Sequence, residues 1–273
     1  MIEKLKYINH MNEVIEFGSN GLFVNESDLY DFAWSITKKN DKISALTTGI
    51  VKKSIPVVIM CGTEKEGIAR RNSILEICEK DVLAMKHGRF VIGDYYLKCY
   101  VTGNKYKSYT DSKRYALLTL TIQTDCPKWI KETTTTFGYG GGKAGKNLDY
   151  NNDFPYDYAS NLLSQELVNA DFIPSNFILT IYGACQNPRV TIGGHDYEIA
   201  VSVEANEYLR VDSVNKSITL MRTDGTQTNC FNLRNRDSYI FEKIPVGKNA
   251  VSNNSDFKFD ITLLEERSAP KWT

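Results

Sequence analysis

The chain has 273 residues, a hydrophobic content of 42% and 16 tyrosines, while 33 basic residues balance 33 acidic ones. That composition supplies a sizeable core and excludes a disordered chain. A formal charge of zero excludes the broad attraction that drives binding to nucleic acid or anionic membranes. No run approaches the roughly 20 apolar residues that span a bilayer, and the opening MIEKLKYINHMNEVIEFG has no signal-peptide core. Synthesis in the cytoplasm without membrane insertion is therefore expected, in two domains or one large all-β domain.

Residues 1–60 hold short strand-like runs at Tyr7-Ile8, Val14-Phe17, Leu22-Val24, Trp34-Ile36, Ile43-Val51 and Ile55-Met60. Pro56 has no N–H to give a ladder, so it belongs at the start of its strand or on an edge. One helix, over about residues 64–86, follows. Thr63 and Glu66 have capping-box spacing. Ile68, Leu75, Cys78, Val82 and Met85 recur at helical intervals, with Arg70, Arg71, Glu76, Glu79 and Lys80 opposite. Gly88 is expected to end it. Phe90–Val101 and Tyr115–Thr124 read as further strands, and their many edges need covering, for which a neighbouring subunit is one solution.

Asp125-Cys126-Pro127-Lys128-Trp129 closes this half. The stretch 132–158, rich in Thr, Gly, Asn and Asp, reads as an extended loop. Strand-like runs resume at Phe177-Tyr182, Val190-Ile192 and Tyr197-Val203. From Tyr208 to Asn249 three alternating runs are cut by bends at Asn215-Lys216-Ser217 and Asp224-Gly225, the third being Tyr239, Phe241, Ile244 and Val246. Phe257-Leu264 ends the series. Short strands with regularly spaced turns describe a β-sandwich. The expected fold is mainly β (α+β), with domains at 1–126 and 127–273.

The candidate chemistry is thin. Gly140–Asn147 approaches the phosphate-cradling pattern GxxxxGK[ST], but Asn147 replaces the magnesium-binding hydroxyl and turn-forming residues follow where a helix is required. His10, His87 and His195 stand far apart, and His195 reads as a solvated residue at a hairpin tip. The six cysteines form no CxxC pair, so isolated reduced thiols are expected and neither a metal site nor a disulfide framework. Asp149, Asp153, Asp157 and Glu166 do not make the facing carboxylates of a glycosidase, nor an EF-hand loop. No enzyme, cofactor or metal is expected. Tyr139, Tyr150, Tyr156 and Tyr158 crowd the loop and form the candidate interaction surface, since exposed tyrosine anchors protein interfaces or stacks on sugars.

Five segments carry a resemblance. Asp125–Trp129 resembles a "D.P.W" junction, and Ile181–Gly194 a "G…NP.i.i.g" segment. Tyr208–Ser213 is similar to an "e.l.iDs" strand, Lys243–Asn249 to a "k.p.G.N" turn, and Arg267–Trp272 to an "R.P.W" ending. In this order they resemble the distal tail protein (Dit) family of siphophages and of prophage tail-like particles in Gram-positive bacteria. The resemblance covers about 125–273 by motif and the first half only by layout; the helix at Glu64–Met85 and the 132–158 loop are not matched residue by residue. It implies an N-terminal belt domain closing a homo-hexameric ring, and a C-terminal galectin-like β-sandwich. It also implies a structural role in the virion, with the major tail tube protein, the tail-tip hub or tail-associated lysin and a receptor-binding protein as partners. A carbohydrate-binding module, recognising cell-wall or surface polysaccharide through the second domain, is the alternative reading.

Overall fold

The computed structural model describes residues 5–24, 27–107, 115–138 and 166–271. They form two compact units, Met1–Lys131 with Glu266–Thr273, and Glu132–Glu265. The first unit thus runs to Lys131 and takes in the stretch from Glu266 as well. The architecture is mainly β, with a single α-helix among the described residues.

In the first unit the order is β1 (Lys6–Ile8), β2 (Val14–Glu16), β3 (Leu22–Val24), β4 (Ser35–Lys39), β5 (Lys42–Thr47), β6 (Val51–Met60), α1 (Glu64–Ala84), β7 (Gly88–Ile92), β8 (Tyr95–Lys107), β9 (Tyr115–Thr124) and the start of β10 (Trp129–Phe137). One antiparallel sheet runs β2-β1-β7-β8-β10, and the other places β6 between β3 and β9. β8 serves both sheets. Its residues 95–99 pair with β7 and its residues 100–107 with β9, with a register irregularity between Val101 and Gly103. Such a bulge bends a strand, which lets one long strand close two layers over a core. Tyr7, Phe90 and Leu97 meet Ile55, Val57, Leu118 and Leu120 there.

Pro56 sits in the middle of β6, opposite Thr119 and not at a strand start. Among the described residues β3 pairs only with residues 57–59, so no described ladder on that side asks Pro56 for an N–H. Helix α1 starts as expected, with Thr63 Oγ1 accepting from the Glu66 amide at 3.2 Å. The return bond differs: Glu66 Oε2 accepts from Gly62 N at 3.0 Å. Its buried face is Gly67, Ile74, Cys78 and Asp81, displaced from the expected stripe; Ile68 and Met85 are exposed. The helix ends at Met85, in the left-handed region with φ 51°. Gly88 instead opens β7, where a Cβ would come within 2.2 Å of Asp81 Oδ2 and the Tyr7 hydroxyl.

The chain enters the second unit along β10, so residues 132–137 are strand and not the start of a loop. Then come β11 (Glu166–Asn169), β12 (Asn176–Tyr182), β13 (Cys185–Gln186), β14 (Arg189–Ile192), β15 (His195–Glu198), β16 (Ser202–Val203), β17 (Tyr208–Asp212), β18 (Ser217–Met221), β19 (Gln227–Asn229), β20 (Gly247–Asn253) and β21 (Phe259–Arg267). One sheet runs β19-β18-β17-β12-β21 and the other β11-β20-β14-β15. Phe177, Leu179, Val211 and Ile261 from the first face Leu167, Val190, Ile192 and Tyr197 from the second in one buried cluster. This is the β-sandwich that the alternation predicts. The bends also form: Lys216 is left-handed at φ 51°, and Gly225 at φ 82° turns β18 into β19. The third run does not form a strand. Ile240, Phe241 and Ile244 are buried, but within an irregular segment, and β20 begins at Gly247, where a turn was expected.

Candidate assembly surface

β4 and β5 form a hairpin whose Asn40-Asp41 turn has positive φ at both residues, 50° and 58°. That backbone matches the twist of the flanking strands. Ile36 faces Leu46 across the ladder, and a register shift after Thr37 then sets Lys38 opposite Ile43. Strand alternation puts Trp34, Ile36 and Leu46 on one face and Ser35, Thr37, Ala45 and Thr47 on the other, and the register shift carries Ile43 to the first face. The apolar face is nevertheless in water, with Ile36 53%, Ile43 60% and Leu46 54% exposed. Every residue of both strands is exposed, and among the described residues the two pair only with each other. A lone two-stranded hairpin is marginal in water, and a contiguous exposed apolar face marks an interaction surface. From sequence, Ile43-Val51 reads as one strand; the structure breaks it at residues 48–50, leaving the first part exposed and placing Val51 in β6.

The same unit carries an open groove of about 690 Å³ beside the short strands β2 and β3. Ile8, Val14, Leu22, Ile74 and Ile77 line it, together with the Lys6–Glu16 ion pair of 2.8 Å. Arg70 forms part of its wall, held by Glu66 Oε1 at 2.5 Å and the Met60 carbonyl at 2.7 Å. Gly21 makes room for that guanidinium, since a Cβ would lie 2.1 Å from Nη1, and its φ of 73° also favours glycine. Unpaired edges beside an apolar groove are the type of surface that another chain covers.

The tyrosines 139, 150, 156 and 158, the glycine-rich 140–147 segment and Asp149, Asp153 and Asp157 lie outside the described residues. Glu166 opens β11 and pairs with Lys248 at 3.2 Å. The histidines stay apart. His10 Nδ1 lies 2.6 Å from Asp81, and His87 Nε2 3.1 Å from Asp125. His195 is not a freely solvated tip: its ring packs edge-on to Tyr197, and Nε2 lies 2.9 Å from the Tyr239 carbonyl. A carbonyl only accepts, so Nε2 carries the proton. All six cysteines are free. Burial pushes the Cys78 thiol up to about 12 and the Cys185 thiol to about 11, the opposite of the activation a nucleophile needs. Among the described residues no group of three His, Cys, Asp or Glu is gathered within metal-binding reach.

No family model and no curated protein matches this sequence. Solved structures do match, over nearly the whole chain. A chain of the phage P2 baseplate in its activated conformation with calcium aligns with a TM-score of 0.64 at 12% identity, covering 99% of this chain and 100% of that one. The same baseplate with strontium gives 0.64 at 11% identity over the same shares. The crystal structure of SPP1 Dit, described as a paradigm of the hub adsorption apparatus in phages infecting Gram-positive bacteria, gives 0.58 at 8% identity, covering 96% of this chain and 98% of that one. The chain has the Dit fold. At these identities the likeness is one of backbone architecture. The Dit fold here carries the exposed hairpin and the groove in its first unit and the sandwich in its second.

Proposed function

We propose that this chain is a structural protein of the distal tail or baseplate of a phage or tail-like particle. In this reading it acts as a ring-forming adaptor between the tail tube and the tail-tip hub, and is not an enzyme. The Dit fold over nearly the full chain supports the particle, and the apolar face of β4–β5 carries the assembly. The first unit acts as the ring-forming belt and the sandwich projects binding functions. Copies joined head to tail by unlike surfaces close into a ring when the rotation allows. The hairpin's apolar face and the groove beside β2 and β3 are two such unlike surfaces, and joining them buries both. The tail tube protein and the hub then stack on the two faces of the ring.

Light-scattering mass after gel filtration, with negative-stain imaging of the same peak, tests this. Six-fold rings with an open centre are expected, alone or on addition of tube protein. Ile36→Asp with Leu46→Asp is expected to abolish rings while leaving the unfolding free energy unchanged within about 0.5 kcal/mol, because both residues are on the surface. Rings that persist in the double variant would remove the hairpin from the assembly. A wild-type chain that stays monomeric even with tube protein would remove the ring.

A further inference from the structure

We propose that the second unit holds a binding site for an anionic saccharide, a pyranose carrying phosphate or carboxylate, in the cleft between the β17–β18 turn and the segment 231–241. The cleft has a volume of about 540 Å³, within the roughly 300–1,000 Å³ of small-ligand sites. Its size fits a sugar unit.

Its chemistry is cationic and aromatic. Lys216, Arg234 and Arg236 line it against one carboxylate, Asp237. Among the described residues none of the three cations has an ion pair. The Lys216 ammonium lies 5.5 Å from the Tyr239 ring and 5.2 Å from the Phe241 ring. Arg234 stacks 3.9 Å from the centre of the Phe231 ring, and its Nη1 donates to the Phe231 carbonyl at 2.6 Å. A guanidinium stacked in this way keeps its remaining N–H groups in one plane for a bidentate phosphate or carboxylate. Tyr239 is 55% exposed beside them, an amphipathic ring of the kind a sugar rests on.

The cleft is also held in shape. Asn235 donates to Glu198 Oε2 at 2.8 Å and accepts from the Asp237 amide at 2.9 Å. Ser238 donates to the Asp196 carbonyl at 2.6 Å, and His195 holds the Tyr239 carbonyl. These bonds tie the segment to β15, which lowers the ordering cost of binding. A half-buried Arg234 and two exposed cations, Lys216 and Arg236, beside aromatic faces and without an ion pair among the described residues, are set for an anion brought by the ligand. This site does not depend on the ring reading.

The test uses the full chain and calorimetric titration at low salt with dextran phosphate, polygalacturonate, neutral dextran and polyglutamate. Binding to dextran phosphate, to polygalacturonate or to both is expected, and the pair identifies the anion. Neutral dextran and polyglutamate are expected to bind at least tenfold more weakly. Arg236→Gln, at an exposed side chain, should weaken binding about tenfold, the worth of one charge-assisted hydrogen bond. Tyr239→Ala should weaken it as well. Arg210→Gln removes an exposed charge of the same unit outside the cleft and should change little. Equal loss in Arg210→Gln and Arg236→Gln would reduce the effect to net charge and overturn the site. Polyglutamate binding as tight as the saccharides, or no binding to either anionic saccharide, would overturn it too.

Discussion

Asp81 has a fully buried side chain, yet it is not an orphan charge. It accepts from the Tyr7 hydroxyl at 2.5 Å and the His10 amide at 2.8 Å, and its Oδ1 meets His10 Nδ1 at 2.6 Å. One carboxylate thus ties the last turn of α1 to β1. Asp81→Ala leaves at least two groups without partners at roughly 1–3 kcal/mol each, so a loss of about 2–6 kcal/mol is expected from urea unfolding. A loss below 1 kcal/mol would show that water replaces the carboxylate. The buried thiols nearby give a pH dependence. Burial, then the charge of Asp81, raises Cys78 from its ordinary 9.0 to about 12, and burial raises Cys99 further. A raised folded value favours the neutral form, so this stability is fully present below pH 9 and is lost as pH rises towards 12. Unfolding midpoints measured from pH 8 to 11 should fall above 9, and more shallowly in Cys78→Ala. A midpoint that rises through this range would contradict the sign.

At the scale of elements, local chemistry and burial separate. The Thr63 cap depends only on residues within one turn, and Thr63→Ala should cost about 1 kcal/mol by chemical denaturation. A change within error would mean that solvent caps the helix equally well. The buried face of α1 was less legible. Ile68 and Met85 fit the helical period, but Gly67 and Asp81 take the interior because a glycine admits close packing and a carboxylate meets Tyr7. The bends of the second unit were legible for the same reason as the cap: Asp224 Oδ1 accepts from both Thr226 N and Oγ1, and Gly225 supplies the positive φ. The run Tyr239–Val246 reads as a strand, but only Ile240, Phe241 and Ile244 of it are buried, against the sandwich and without a strand of their own, while Tyr239 and Val246 are exposed.

The whole molecule has two cores, one around Tyr7, Phe90 and Leu120, the other around Phe177, Leu179 and Ile261. Leu179→Ala, at a fully buried position, should cost roughly 2–5 kcal/mol. In calorimetry that loss should lower the transition of the second unit and leave that of the first in place. One transition shifted as a whole would show that the two units unfold together.

The sequence by itself determined the helix cap, the hairpin bends, the strand-rich composition of both units and the absence of a metal-ligand spacing. These depend on residues a few positions apart and on backbone preferences that no distant contact overrides. Only the tertiary structure decided which apolar faces are covered. Pairing puts Ile36 and Leu46 on one face, and the register shift brings Ile43 to it, much as alternation puts Val57 and Ile59 on one face, but the pattern is the same whether a sheet packs on it or water does. The cleft of the second unit was hidden for a related reason: Arg234 meets Phe231 three positions away, but Lys216 is fifteen or more positions from every ring of the cleft, and only the fold brings its ammonium beside Tyr239 and Phe241.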